Sequence, residues 1–391
     1  MFSFLIHPFE PRGRFQRFAR LGRRLQPRFR GAALAAASLL LLVAGLAVGP
    51  SGAAAAGGTM VLYAATDRQV VEPLIDDFEA SHPGIKVEYH DLNSGELYTR
   101  FLNELGSERQ ADVLWSSAMN LQFKLVNDGH ALPHKSAETA ALPAWAVWKG
   151  EAFGATFEPI VIAYNRQLIA AAEVPKTHAE LTRFLEQREH RRYRLATYDP
   201  RGSGLGYLLH TQDLEANPVA FWNLIRVLGR TGVILEPATT DMLDHIASGR
   251  AALGYNVLGS YALNRAASNP NIGIVLPSDY TLILSRIAFI NKQAPNPQAA
   301  RLWLDYLLSR RGPAVLNHTG LFSLRDDVSS SDHSAADVRR QLGTAYLPIV
   351  ISTGLLTYLD KMKRELFLSR WDAAIGPRPE APNGTGSPAK R

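Results

Sequence analysis

The 391-residue chain contains no cysteine. That removes disulfides, thiolate metal sites, a cysteine nucleophile and the cysteine-linked lipid anchor of bacterial lipoproteins. Catalytic signatures are missing as well. Ser203 has Arg201 and Leu205 two residues to either side, so there is no Gly-x-Ser-x-Gly elbow. The sequence has no His-Glu-x-x-His, its 11 histidines form no ligand-spaced cluster, and there is no Gly-Lys-Ser/Thr phosphate loop. Gly202-x-Gly204 is continued at the wrong spacing for a dinucleotide fingerprint. An exported hydrolase is the rival reading these absences weaken, and no enzyme or cofactor is expected.

The body of the chain also lacks net charge. The formal total is +6, but residues 1–30 hold eight arginines against one acid, Glu10; removing that excess of seven leaves −1 for the remainder. A nucleic-acid role is thereby discarded. Residues 31–49 carry no charge and are followed by Pro50, Ser51, Gly52 and four alanines. A basic region, an apolar region and a small-residue exit in that order read as a secretory signal peptide over 1–56, with an uncleaved anchor as the alternative. Either way the body is exported, and the expected location is the periplasm.

From Met60 onward, strand and helix patterns alternate, which predicts an α/β fold with parallel, helix-covered sheets. Residues 60–64, 85–90 and 112–115 read as strands, with Thr66, Ser94 and Ser116-Ser117 at the helix starts that follow. Residues 195–210 (Leu-Ala-Thr-Tyr-Asp-Pro-Arg-Gly-Ser-Gly-Leu-Gly-Tyr-Leu-Leu-His) form the focal stretch: a strand end, a glycine-lined turn, and a helix beginning near Ser203. Free N–H groups and the helix dipole make such a start a seat for an anion, with Arg201 as a fixed charge beside it. Two long extended runs, 153–165 and 282–291, bracket a self-contained α/β unit. They predict a chain that crosses to a second lobe and returns, leaving a hinge and a cleft.

Several segments resemble periplasmic binding proteins of ABC importers in the ferric-iron and organophosphate class. They are 61–79, Ala111-Asp-Val-Leu-Trp-Ser-Ser117, Ile162-Ala-Tyr-Asn165, Asp199-Pro-Arg-Gly-Ser-Gly204, the run 288–309 and the closing Tyr358 to Trp371. The resemblance implies a type II two-lobed periplasmic-binding-protein fold, with two hinge-crossing strands and the ligand cleft between the lobes. The implied division is 57–157 plus 287–327 for lobe 1, 158–286 for lobe 2, 328–376 for a C-terminal linker and helices, and 377–391 for a disordered tail. It also implies a monomer that binds a small molecule and docks on an inner-membrane ABC permease; docking on a sensory receptor is the alternative.

Ferric binders of this class resemble one another in two adjacent tyrosines at a second-lobe helix start. Here that start reads Gly259-Ser260-Tyr261-Ala262, and Thr66-Asp67-Arg68 stands where a first-loop histidine is expected. Tyr261, even with Tyr255, is a poor donor set for a hard cation. The expected ligand-binding residues are Thr66, Asp67, Ser94, Ser116, Ser117, Glu158, Arg201, Gly202, Ser203, Asn256, Tyr261 and Arg286. Hydroxyls, backbone N–H groups and two arginines suit a small anion. Glu158 opposes a bare anion unless it meets a ligand hydroxyl or amine, so a sugar phosphate or phosphonate is expected over phosphate alone.

Overall fold

The computed structural model describes residues 57–376 apart from 108, 188–191, 317–318, 326 and 329–334. The leader over 1–56 and the tail over 377–391 lie outside the described residues, as do 329–334 of the C-terminal linker. Among the described residues no helix is long and apolar enough to cross a membrane.

The strands run β1 (Gly58–Ala64), β2 (Ile85–Asp91), β3 (Val113–Ser116), β4 (Ala131–Leu132), β5 (Val147–Trp148), β6 (Ala152–Gly154), β7 (Glu158–Asn165), β8 (Leu195–Tyr198), β9 (Ile234–Glu236), β10 (Leu253–Leu258), β11 (Ile272–Val275), β12 (Thr281–Leu284), β13 (Ile287–Asn291) and β14 (Tyr346–Pro348). They make two sheets. The first has the order β2-β1-β3-β13-β6-β5, with β4 beside β13; the second has the order β14-β12-β7-β10-β8-β9, with β11 beside β7. Each sheet is the floor of one lobe. The chain leaves the first lobe between β6 and β7 and returns between β12 and β13.

The expectation of wholly parallel sheets needs correction. β1 pairs parallel with β2 and β3, and β8 pairs parallel with β9 and β10. The crossing strands enter the other way: β13 is antiparallel to β3, and β7 is antiparallel to β10, β11 and β12. A strand that arrives from the opposite lobe has no crossover helix to turn it, so it lies antiparallel to its neighbours.

Burial follows the sequence pattern. In the first lobe Met60 and Leu62 of β1 meet Val71 and Phe78 of helix Arg68–Ser81 and Trp303 of helix Pro297–Leu308, all fully buried. In the second lobe Phe221, Trp222 and Leu228 of helix Pro218–Thr231 pack against Phe367 and Trp371 of helix Lys361–Ile375. A Cβ at Gly229 would lie 2.3 Å from the Ala374 carbonyl oxygen, so glycine is what lets these two helices approach. The closing segment from Tyr358 to Trp371 is divided between two elements. Thr353–Leu359 is a 3₁₀ turn, and Asp360 then starts a fresh α-helix by accepting from Lys363 N–H at 3.1 Å.

Candidate functional site

Between the lobes lies a cavity of about 190 Å³, lined from the first lobe by Ala65–Asp67, Asp91–Ser94 and Ser117, and from the second by Tyr198, Ser203, Leu205, Pro237–Thr240, Leu258 and Tyr261, with Arg286 at the crossing. Six helices begin at this cavity. Three belong to the first lobe, Arg68–Ser81, Ser94–Asn103 and Met119–Asn127; three belong to the second, Gly204–Ala216, Thr239–Ala247 and Gly259–Ser268. This is the expected consequence of ligand sites forming outside the carboxyl ends of strands in α/β sheets.

Two of the six starts are closed by a side-chain cap. Asn93 accepts from Glu96 N–H at 2.9 Å, and Ser203 accepts from Gly206 N–H at 3.1 Å. The Met119, Thr239 and Gly259 helices begin after Ala118, Ala238 and Leu258, which have no capping side chain. At the Thr239 and Gly259 helices the first-turn N–H groups therefore have no side-chain cap and the positive end of each helix dipole behind them, whereas at the third start Met119 N–H donates to the Ser117 carbonyl at 2.9 Å and Leu121 N–H to Asn120 Oδ1 at 3.0 Å.

The lobes already touch across the cavity. Asp67 N–H of the first lobe donates to the Tyr261 hydroxyl of the second at 3.5 Å. At Gly204 a Cβ would stand 3.0 Å from Ser94 Oγ and 3.1 Å from Leu121 Cδ1. Burial pushes the Tyr261 hydroxyl up to about 12, so it is a neutral donor and acceptor at ordinary pH.

Thr66, Asp67, Ser94, Ser117, Ser203, Tyr261 and Arg286 line the cavity; five other expected site residues do not. Ser116 is buried and turns back to accept from Ala118 N–H at 3.2 Å. Arg201 reaches outward to the last helix, where its Nε donates to Asp372 Oδ1 at 3.2 Å and its Nη2 to Oδ2. The hydrogen bonds to Asp372 raise its pKa further. Neighbouring Gly202 is exposed in the same outer turn.

Asn256 sits in a bulge of β10 with φ 61° and donates inward to Asp213 at 2.6 Å. Asparagine is among the few side chains that tolerate that left-handed backbone. Tyr255, the second tyrosine considered for iron, is also interior and donates to Asp213 at 2.5 Å. Glu158 is wholly buried behind the cavity, paired with Arg286 at 2.8 Å. Thr66 does not cap the first helix, a place taken by Asp67; its hydroxyl accepts from Arg286 Nη1 at 2.8 Å.

Sequence reasoning missed four contributors. Asp91 accepts from Arg68 N–H at 3.1 Å at the end of β2. Asn93 was hidden behind Ser94. Tyr198 and Thr239, hydrogen-bonded to each other, come from neighbouring parts of the second lobe. A polar residue at each strand end was the signal that marked them. Among the described residues no group of three or more histidine, aspartate or glutamate side chains could hold a metal.

The sequence matches the family model for bacterial extracellular solute-binding proteins over residues 73–341. The crystal structure of the substrate binding protein of an ABC transporter from Agrobacterium tumefaciens is 36% identical, with a TM-score of 0.76, covering 83% of this chain and 96% of its own. Iron-bound HitA from Pseudomonas aeruginosa is 16% identical, with a TM-score of 0.66, covering 81% of this chain and 99% of its own. The ferric binding protein from Campylobacter jejuni is 19% identical, with a TM-score of 0.64 and the same coverage. These last two likenesses concern the fold alone. No curated protein matches the sequence.

Proposed function

The chain belongs to the bacterial extracellular solute-binding proteins, the non-enzymatic ligand-capturing components of ABC transporters, and from that premise we propose that its cargo is a small solute with both an anionic group and hydroxyl or ammonium groups. A sugar phosphate or an aminophosphonate has that chemistry. The reading includes lobe boundaries at 157/158 and 286/287, a monomeric working state in the periplasm, and delivery to an inner-membrane permease by the closed form.

The observation that carries the proposal is the convergence of six helix starts on one cavity. Charge for the anion comes from main-chain N–H groups rather than from a free cationic side chain, because Arg201 is paired outside and Arg286 is paired inside. Hydroxyls of Thr66, Ser94, Ser117, Ser203 and Tyr261 complete the polar lining. Asp67 and Asp91 disfavour a bare anion and suit a ligand amine or hydroxyl.

A ferric cargo is the second reading, favoured by the Tyr261 hydroxyl beside Asp67 and by the fold shared with iron-bound HitA and the Campylobacter ferric binding protein. Against it, the Tyr198 and Tyr255 hydroxyls are engaged by Thr239 and Asp213, which leaves one tyrosine. A thermal-shift screen of ligand-stripped protein against 2-aminoethylphosphonate, glucose 6-phosphate, inorganic phosphate and ferric citrate decides between them. A ligand at 100 times its Kd adds about 2.7 kcal/mol to the native state, a shift of several degrees. Response to a phosphonate or sugar phosphate is expected; response to ferric citrate alone would overturn the proposal.

A further inference from the structure

Glu158 and Arg286 sit where the chain passes between lobes, Glu158 as the first residue of β7 and Arg286 in the two-residue step between β12 and β13. Both are almost wholly buried. Their contacts leave little for a ligand. Glu158 Oε1 accepts from Arg286 Nε at 2.8 Å and from the Thr156 hydroxyl at 2.8 Å; Oε2 accepts from Arg286 Nη2 at 3.2 Å and from the Ser260 hydroxyl at 2.5 Å. Arg286 Nη1 donates to the Ala65 carbonyl at 2.6 Å and to Thr66 Oγ1 at 2.8 Å. The backbone is drawn in too, since Arg286 N–H donates to the Thr156 hydroxyl at 2.9 Å.

The network therefore has two ends. One grips the Ala65-Thr66 rim of the first lobe, and the other grips the second residue of the helix that presents Tyr261 in the second lobe. Its middle is the crossing itself. We propose that Glu158 and Arg286 act as a positioning pair at the pivot, tying both rims of the cleft to the crossing strands so that lobe closure and site assembly are one movement. A fully hydrogen-bonded buried pair adds little to stability compared with well-packed apolar residues, so its value here is the geometry it enforces. Burial disfavours the Arg286 charge, but Glu158 beside it more than compensates and keeps the guanidinium ionised.

The inference rests on the two-lobed fold and not on the identity of the cargo. Because the chain has no cysteine, the pair Asp76→Cys and Arg230→Cys places spin labels on exposed helix positions of the two lobes without background. Double electron–electron resonance on ligand-free full-chain protein then reads the interlobe distance distribution. Relative to wild type, Glu158→Gln, Thr66→Val and Ser260→Ala should each broaden that distribution and move it to longer separation. The control Asp372→Asn, which breaks the outer pair with Arg201, should leave it unchanged. Ser260→Ala cuts the second-lobe end and Thr66→Val weakens the first-lobe end, where the Ala65 carbonyl contact remains; both spare the ion pair, so they decide the matter even if Glu158→Gln fails to fold. Distributions superimposable on wild type in both end variants, or equal broadening in the control, would overturn the proposal.

Discussion

Gly204 offers a way to perturb closure without perturbing folding. A Cβ there would lie 3.0 Å from Ser94 Oγ and 3.1 Å from Leu121 Cδ1, tighter than ordinary van der Waals contact, and both of those atoms belong to the opposite lobe. In Gly204→Leu three further carbons must fit into the same contact. Overpacking of this kind costs about 1–3 kcal/mol. In a single packed core that cost would be subtracted from stability. Here the lobes can swing apart instead, so it falls on the closed state, and ligand affinity should drop about 5- to 150-fold. Folding should not suffer, because replacing a helical glycine relieves about 0.5–1 kcal/mol of backbone entropy. Calorimetry with the best phosphorylated ligand of the screen measures the affinity, small-angle scattering the compaction, and a melting curve the empty protein. Unchanged affinity together with a melting temperature several degrees lower would refute the reasoning, since it would mean Gly204 is packed within one lobe.

Arg201→Ala should leave ligand affinity unchanged by calorimetry and alter stability by under about 1 kcal/mol, the scale of a half-exposed pair such as Arg201–Asp372. Tyr261→Phe removes the hydroxyl that meets Asp67 N–H, and should weaken binding while the melting temperature of the empty protein stays nearly constant. His210 is fully buried, its Nε2–H donating to the Tyr198 carbonyl at 3.1 Å, and burial pulls its pKa down to about 4. An unfolded histidine titrates near 6.5, so between those values the unfolded chain holds the extra proton. The stabilisation is complete above about pH 6.5 and is lost as pH falls toward 4, by up to about 3 kcal/mol. Denaturant titrations of His210→Gln across that window should show a shallower pH slope than wild type; an equal slope would mean His210 protonates freely in the folded state.

How far the sequence could be read depended on how local each feature is. The Ser203 cap is written in four consecutive residues, Ser203 to Gly206, and the expected helix start is where the structure has it. The strand-helix alternation is equally local, so the two-lobed α/β arrangement was legible. Arg201 was not, because its partner Asp372 lies 171 residues away and only the packing of the last helix brings it near. Glu158 and Arg286 are separated by 128 residues and meet because β12 pairs with β7. From sequence each looked like a charge available to a ligand. Asn256 shows a third kind of gap: a bulge in the middle of β10 turns its side chain inward, and nothing in Tyr-Asn-Val-Leu announces the extra residue. Thr66 was placed one position out of role, since the N-cap position is Asp67, whose side chain makes no cap hydrogen bond, and the threonine hydroxyl meets the arginine instead.

The crowding of six helix starts around one cavity has a bearing on how such a receptor can change its diet. Peptide dipoles belong to the path of the main chain, so no single substitution deletes them, and a preference for negative charge survives almost any replacement of the side chains around it. The first-turn residues that rim the cavity, Ser94, Thr240 and Tyr261 among them, are free to be exchanged one at a time. Each exchange alters which neutral or cationic remainder of the cargo is welcome. New specificities are then reachable in small steps, with every intermediate still able to hold an anion.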